Sequence, residues 1–270
     1  MIVDCHTHIF PDKIAPRVLK MNEEELALKP YGTGTFNGLI SYMDEAGVEF
    51  SVVLGVAPSG QLVKVTNDWL LSLAHLRLIL FGTVTPDYEH WKEEIGRIKA
   101  DGIRGIKINS LFQNIIPDDP SMYPIYEKLA EEEMFVFFHS GKGEGEAEEA
   151  SVRSTPERLR RVHDDLPALK MIIAHFGGYG MLDEARKYLV GQDLFLDTSY
   201  CPTVKDLDPR EVVKLIRDHG ADHILYGTDY PWGKQGPSQG WEHSFIRDLP
   251  LKEEEKEMIL WKNALGLFKP

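Results

Sequence analysis

Eight short runs rich in Val, Ile, Leu and Phe recur along this chain, each followed by turn residues and then an amphipathic stretch. Strands interleaved with helical segments at a spacing of about 30 residues build parallel βα units, so this alternation constrains the fold more than any other feature. Strands are expected near 2–7, 51–56, 78–83, 103–108, 134–138, 170–174, 194–198 and 223–227, with helices near 60–75, 88–100, 122–133, 155–165, 180–190 and 209–219. Thr155-Pro156-Glu157 and Asp208-Pro209-Arg210 place a capping side chain before a proline at the first helical position. Gly102 and Gly220 stand where helices should stop.

The runs are continuously apolar, as in strands covered on both faces. Eight strands close a barrel, and 270 residues fit the ~250 typical of that fold. An open doubly wound sheet would carry a Gly-rich phosphate turn after its first strand. That position holds His6-Thr7-His8 instead. The expectation is an α/β protein, a single (β/α)8 TIM barrel over residues 1–270, with long segments 9–36, 140–154 and 230–250 forming the substrate mouth.

Composition narrows the partners. The net charge of -13 argues against nucleic acid, which needs clustered Lys and Arg. Glu23-Glu24-Glu25, Glu131-Glu132-Glu133 and Glu253-Glu254-Glu255 read as solvated helix faces or starts. No stretch reaches the ~18 apolar residues of a membrane helix. No secretory leader is visible, and two cysteines, Cys5 and Cys201, form no disulfide framework. A cytoplasmic protein acting on a small molecule is expected, with a homodimer as a further expectation.

In Asp4-Cys5-His6-Thr7-His8, period-2 alternation sends Asp4, His6 and His8 one way, and two imidazoles two residues apart can reach one metal ion. His139 ends the run Phe135–Phe138, His175 ends Met171–Ala174, and Asp229 follows Ile224–Thr228. Each polar residue stands at the carboxyl end of an apolar strand, and in a barrel those ends converge on the mouth. Neutral imidazole and carboxylate suit a borderline divalent ion, which lowers the pKa of bound water toward ~7. An imidazole beside such an ion can serve as general acid or base. His75, His90, His163, His219 and His223 lack the strand-end placement and read as surface or helix-end residues, while His243, in a mouth segment, stays open.

These residues also carry a resemblance. Asp4–His8, Phe138-His139-Ser140-Gly141, Ala174-His175-Phe176-Gly177-Gly178 and Tyr226–Trp232 resemble the amidohydrolase superfamily, and within it the amidohydrolase-2 branch of decarboxylases, lactonases and hydratases. The resemblance implies a (β/α)8 barrel with one divalent ion, zinc before Mn2+, Fe2+ or Ni2+. It implies His6, His8, His139 and Asp229 as ligands and His175 as acid/base, with Asp229 and His175 both needed for turnover. Lys107, on strand 4, is a candidate anchor for a substrate carboxylate, with a structural ion pair as the bland alternative. Carboxylation of Lys107 to bridge two metals, as in other amidohydrolases, is less favoured. Asp4 and Asp197 are expected to orient ligand imidazoles or to serve as polar barrel groups. Arg153, Lys142, Tyr200 and Trp232 lie in mouth segments and are candidates for recognising an anionic or aromatic substrate; solvated charge or loop packing is the alternative for each.

Four functions compete. The leading one is a metal-dependent hydrolase using activated water on an amide, lactone or related bond of a small organic acid. The alternative is non-oxidative decarboxylation of an aromatic or enol acid at the same site. A TatD-like nuclease also begins with a His-x-His strand, but that family has Glu at the end of strand 4 where this chain has Lys107-Ile108-Asn109, and its polyanionic substrate matches the charge poorly. A catalytically dead binding protein is disfavoured by retention of all five polar positions.

Overall fold

The computed structural model describes residues 1–26, 29–73, 75–142, 152–199, 202–232 and 242–268. Eight strands form one parallel sheet in sequential order: β1 (Val3–Thr7), β2 (Phe50–Leu54), β3 (Leu78–Thr83), β4 (Gly105–Ile108), β5 (Phe135–Phe138), β6 (Lys170–Ile173), β7 (Phe195–Asp197) and β8 (Ile224–Leu225). Beyond β8 the chain returns to β1: the Cys5 amide donates to the Tyr226 carbonyl at 2.8 Å, and the Asp229 amide to the His6 carbonyl at 2.9 Å. The result is the (β/α)8 barrel expected from the strand spacing.

Alternate residues of each strand serve two cores. Val52, Phe81, Phe135, Phe137, Ile172 and Leu225 fill the interior, while Val53, Val136, Ile173 and Ile224 pack on the helical layer. Phe268, on the last helix, packs edge-on against Phe81 and Phe135, with ring centroids 5.6 and 5.4 Å away. Burying a side chain of that size contributes roughly 2–3 kcal/mol.

The helices follow their sequence signals. Thr155 Oγ1 accepts from the Arg158 amide and Asp208 from the Arg210 amide, and each cap precedes a proline at the helix start. Two segments read as mouth loops carry helices, Ala15–Leu26 within 9–36 and Glu242–Asp248 within 230–250. The first has an apolar stripe at helical spacing, Ile14, Val18 and Met21, which a reading centred on strand ends passes over. No helix among the described residues is long and apolar enough to cross a membrane.

Candidate metal centre and substrate cavity

β1 enters the site with one extra residue: Asp4 pairs with Ser51 and Thr7 with Val53, three steps on β1 against two on β2. A bulge re-aims the side chains beyond it, and this corrects the strict alternation expected for β1. Cys5 belongs to the interior core. Asp4 faces the helical layer, accepting from the hydroxyls of Tyr42 at 3.1 Å and Thr228 at 2.6 Å. Burial pushes its carboxyl up to about 7, against the downward pull of these hydrogen bonds. Asp4 therefore ties β1 to the β8 end and contacts no ligand imidazole. His6 turns inward against Phe137, ring centroids 5.2 Å apart. Gly227 makes room for it, since a Cβ there would stand 2.8 Å from the His6 Cβ.

His6, His8 and Asp229 converge. The Nε2 atoms of His6 and His8 are 3.1 Å apart, and Asp229 Oδ1 lies 3.4 and 3.5 Å from them. Edges of this length fit donors roughly 2.0–2.2 Å from one ion. The other ring nitrogens are committed: His6 Nδ1 to Asp197 Oδ2 at 2.7 Å and His8 Nδ1 to the Leu54 carbonyl at 3.0 Å. An ionised carboxylate and a carbonyl only accept, so both Nδ1 atoms carry protons and both Nε2 atoms present lone pairs. Burial, reinforced by the positive charge of Lys107, lowers His6 to about 3; burial and the neighbouring His6 hold His8 well below its ordinary value. Both rings are neutral, as metal ligation requires.

His139 and His175 form a second pair. The Ser199 carbonyl lies 3.0 Å from His175 Nδ1, so that nitrogen donates and Nε2 accepts. His139 Nδ1, 3.2 Å from that Nε2, is then the donor between the rings. His139 Nε2 is left as a lone pair, buried and without a hydrogen-bond partner among the described residues. A cation is the partner such an atom fits. His139 stands outside the three-residue cluster, whose ligand atoms all lie within 4.8 Å of one another. Burial lowers the pKa of both rings. His175 and Asp229 have backbone φ of 61° and 63°, a left-handed conformation uncommon outside glycine and found at functional sites.

Asp197 organises both pairs. Besides His6 it accepts from the amides of His175 and Ser199 at 2.9 Å and from Ser199 Oγ at 2.6 Å. Against the upward push of burial, His6 and these donors hold its carboxyl below the usual range. Ser199 Oγ also stands 2.9 Å from His6 Nδ1 and 3.1 Å from His175 Nδ1. Nothing in the sequence marks Ser199, because its role depends on where β7 ends relative to two other strands.

The cluster opens into a cavity of about 670 Å³. Lys107 lines it, fully buried, with Nζ 4.6 Å above the Phe137 ring and no hydrogen-bond partner among the described residues. Burial lowers this ammonium to about 8, while Asp197 and Asp229 pull the other way. Trp232 also lines the wall beside His8, its buried Nε1 without a partner among the described residues. Among the described residues the charged members of the wall are Arg17, Lys107, Lys142 and Asp229, three cations and one carboxylate in a chain of net charge -13. Arg153 is half-buried and not part of the wall. Tyr200 lies outside the described residues. Sequence reasoning missed Arg17 because its helix was read as a loop.

A parallel eight-stranded barrel with imidazoles and a carboxylate gathered at its strand ends defines a class of metal-dependent enzymes. The chain belongs to the amidohydrolase family: the family model described as Amidohydrolase matches residues 3–269. Two curated relatives are similar in sequence. A gamma-resorcylate decarboxylase from a Polaromonas species is 28% identical over 121 residues, 39% of this chain and 36% of that protein. A 2-amino-3-carboxymuconate-6-semialdehyde decarboxylase from Dictyostelium discoideum is 28% identical over 196 residues, 61% and 53% respectively. The matched stretches thus span about a third and a half of these relatives.

Solved structures share the fold along the whole chain. A 2,6-dihydroxybenzoate decarboxylase complexed with 2,6-dihydroxybenzoate superposes with a TM-score of 0.73 at 16% identity, covering 99% of this chain and 98% of that one. A 5-carboxyvanillate decarboxylase from Novosphingobium aromaticivorans, complexed with manganese and a nitrobenzoic acid, gives 0.71 at 19%, covering 100% and 96%. A probable 2-pyrone-4,6-dicarboxylic acid hydrolase from Acinetobacter baumannii gives 0.69 at 16%, covering 100% and 99%. The barrel therefore does not separate lyase from hydrolase.

Proposed function

We propose that this protein is a metal-dependent, non-oxidative decarboxylase of an aromatic acid. The observation that carries the proposal is the Lys107 ammonium, buried and unpartnered in the wall of the cavity that the His6, His8 and Asp229 cluster opens into. A buried ammonium with no hydrogen-bond partner is costly even with Asp197 and Asp229 nearby, and a substrate carboxylate offsets that cost. Both curated relatives are decarboxylases, which favours carbon–carbon cleavage over the hydrolysis that heads the sequence-based expectations.

His6, His8 and Asp229 would hold the ion, with the lone pair of His139 Nε2 as a fourth donor. Manganese is preferred to zinc because a structural neighbour holds manganese. The bound ion would supply fixed positive charge for the acid's oxygens and for charge developing on the ring. Lys107 would orient the carboxylate, and Trp232 Nε1 would donate to a ring oxygen. As the bond to the carboxyl carbon breaks, its electron pair passes to the ring and CO2 departs. The ring carbon then takes up one proton, so ArCO2⁻ and H⁺ give ArH and CO2. His175 Nε2, which accepts from His139 Nδ1 at 3.2 Å while Nδ1 is held by the Ser199 carbonyl, would be the ring position that exchanges that proton.

The test is a panel of 2,6-dihydroxybenzoate, 5-carboxyvanillate and small lactones, incubated with manganese-loaded protein. CO2 and the matching decarboxylated arene are the expected products. A ring-opened or amide-cleaved product without CO2 would return the assignment to a hydrolase.

A further inference from the structure

The cavity is far larger than its reacting end. Volumes between 300 and 1,000 Å³ suit drug-sized ligands, so a one-ring acid leaves most of the 670 Å³ empty. Its inner end is polar and buried, with His6 1% and Lys107 0% exposed. The outer end is a trench walled by two helices, Ala15–Leu26 with its preceding turn, and Gly60–Ser72. Ile14, Val18 and Met21 recur at i, i+4 and i+7, and Leu62, Val65 and Trp69 at i, i+3 and i+7, so each trio shares a helix face. Other residues do most of the docking: on the first helix Ala15, Leu19 and Asn22 are buried, and on the second Val63, Asn67 and Leu70, with Trp69 packed in part against the same core. Both trios keep exposed members, with Ile14 46% and Met21 41% exposed on the first and Leu62 43% and Val65 57% on the second. Exposed apolar surface continuous with a polar reaction site marks a ligand groove.

We propose that this trench is a subsite for an apolar substituent, and that the substrate class is an aromatic acid bearing an alkyl, prenyl or aryl group on the side of the ring away from its carboxylate. The inference rests on the proposed anionic head group at Lys107 and adds the tail. Continuity of the trench with the cluster sets the polarity of the ligand, acid inward and hydrocarbon outward. Arg17 and Lys142 in the same wall draw anions to the mouth of an otherwise acidic protein.

The test is calorimetric binding of 4-alkyl-2,6-dihydroxybenzoates, methyl through octyl, to metal-loaded protein, with CO2 measured in parallel. Each buried methylene should lower Kd about three- to four-fold until the trench is filled. Val65→Glu and Leu62→Glu should flatten that dependence, weakening the octyl compound far more than the methyl one. A Kd independent of chain length, or no binding by any member, overturns the tail subsite. If the short members release CO2 in that case, the decarboxylase assignment survives. Rising affinity with no CO2 from any member supports the trench and sinks the reaction instead. A protein that sediments as a dimer, loses that state in Val65→Glu and shows no chain-length effect would assign the face to a second copy and overturn the proposal.

Discussion

The Nε2 atoms of His6 and His8 face each other at 3.1 Å with the proton of each ring held on the far side, by Asp197 and the Leu54 carbonyl. Two buried lone pairs at that distance repel unless positive charge lies between them. A divalent ion should therefore stabilise the fold as well as serve catalysis. At a hundred times Kd the gain is about 2.7 kcal/mol, a rise in Tm on the order of 5 °C for a chain of this size. Scanning fluorimetry with and without chelator measures it, and Asp229→Asn should shrink the shift. Identical melting of metal-loaded and stripped wild-type protein would rule out the cluster as a metal centre.

Lys107 separates stability from activity. Its ammonium is lowered from 10.5 to about 8 by burial, a native-state penalty of roughly 3 kcal/mol near neutrality. The charged form is the one penalised, so Lys107→Met should raise stability toward that amount. It should also cost 10- to 100-fold in kcat/KM by removing a charged partner of the carboxylate. In the wild type the anchor is present below about pH 8 and disappears above it, so KM should climb through that range. Lys107→Arg should move the alkaline limb upward, while the same limb in Lys107→Met would assign it to another group.

The barrel and the convergence of His6, His8 and Asp229 were legible in the sequence because both follow from period. Apolar runs mark strands, and a polar residue ending a run marks the mouth. The bulge in β1 was not legible, since it is defined by Ser51 and Val53 on the neighbouring strand, and Asp4 was consequently put on the same face as His6 and His8. Ser199 escaped because a serine after a strand is ordinary until two imidazoles and a carboxylate are found around it. The stripe Ile14, Val18 and Met21 escaped because amphipathicity was sought between strands and not within the mouth. For Arg153 the mouth segment was a poor guide, as the side chain is not in the cavity wall.

Ser199 tests the coupling of the two histidine pairs. Its hydroxyl has one proton, donated to Asp197 Oδ1 at 2.6 Å, and its oxygen stands within 3.1 Å of both His6 Nδ1 and His175 Nδ1. In Ser199→Ala, His6 keeps Asp197 Oδ2, so metal content should hold. His175 Nδ1 loses the hydroxyl contact and keeps the Ser199 carbonyl, so its ring loosens. Groups that orient active residues typically carry 10- to 100-fold effects, so kcat should fall about ten-fold with KM little changed. Loss of metal with kcat intact at saturating ion would show Ser199 acting through His6 alone.

His219 governs acid stability away from the site. It ends the helix Pro209–His219, its Nδ1 accepting from the Gly191 amide at 3.2 Å and its Nε2 donating to the Leu194 carbonyl at 3.1 Å, which requires the neutral ring. Burial lowers its pKa to about 4 against 6.5 in the unfolded chain. Below 6.5 the unfolded chain takes up a proton that the native ring refuses. Its contribution is therefore complete above pH 6.5 and lost as pH falls from 6.5 toward 4, by up to roughly 3 kcal/mol. His6, His8 and His139 carry the same sign, so the wild-type slope alone does not isolate His219. The difference between wild type and His219→Gln does, because the site histidines cancel. Urea midpoints between pH 7 and 4 should start apart and converge, the variant losing less with acid. Parallel curves across that range would mean that His219 takes up its proton in the native protein as readily as in the unfolded chain.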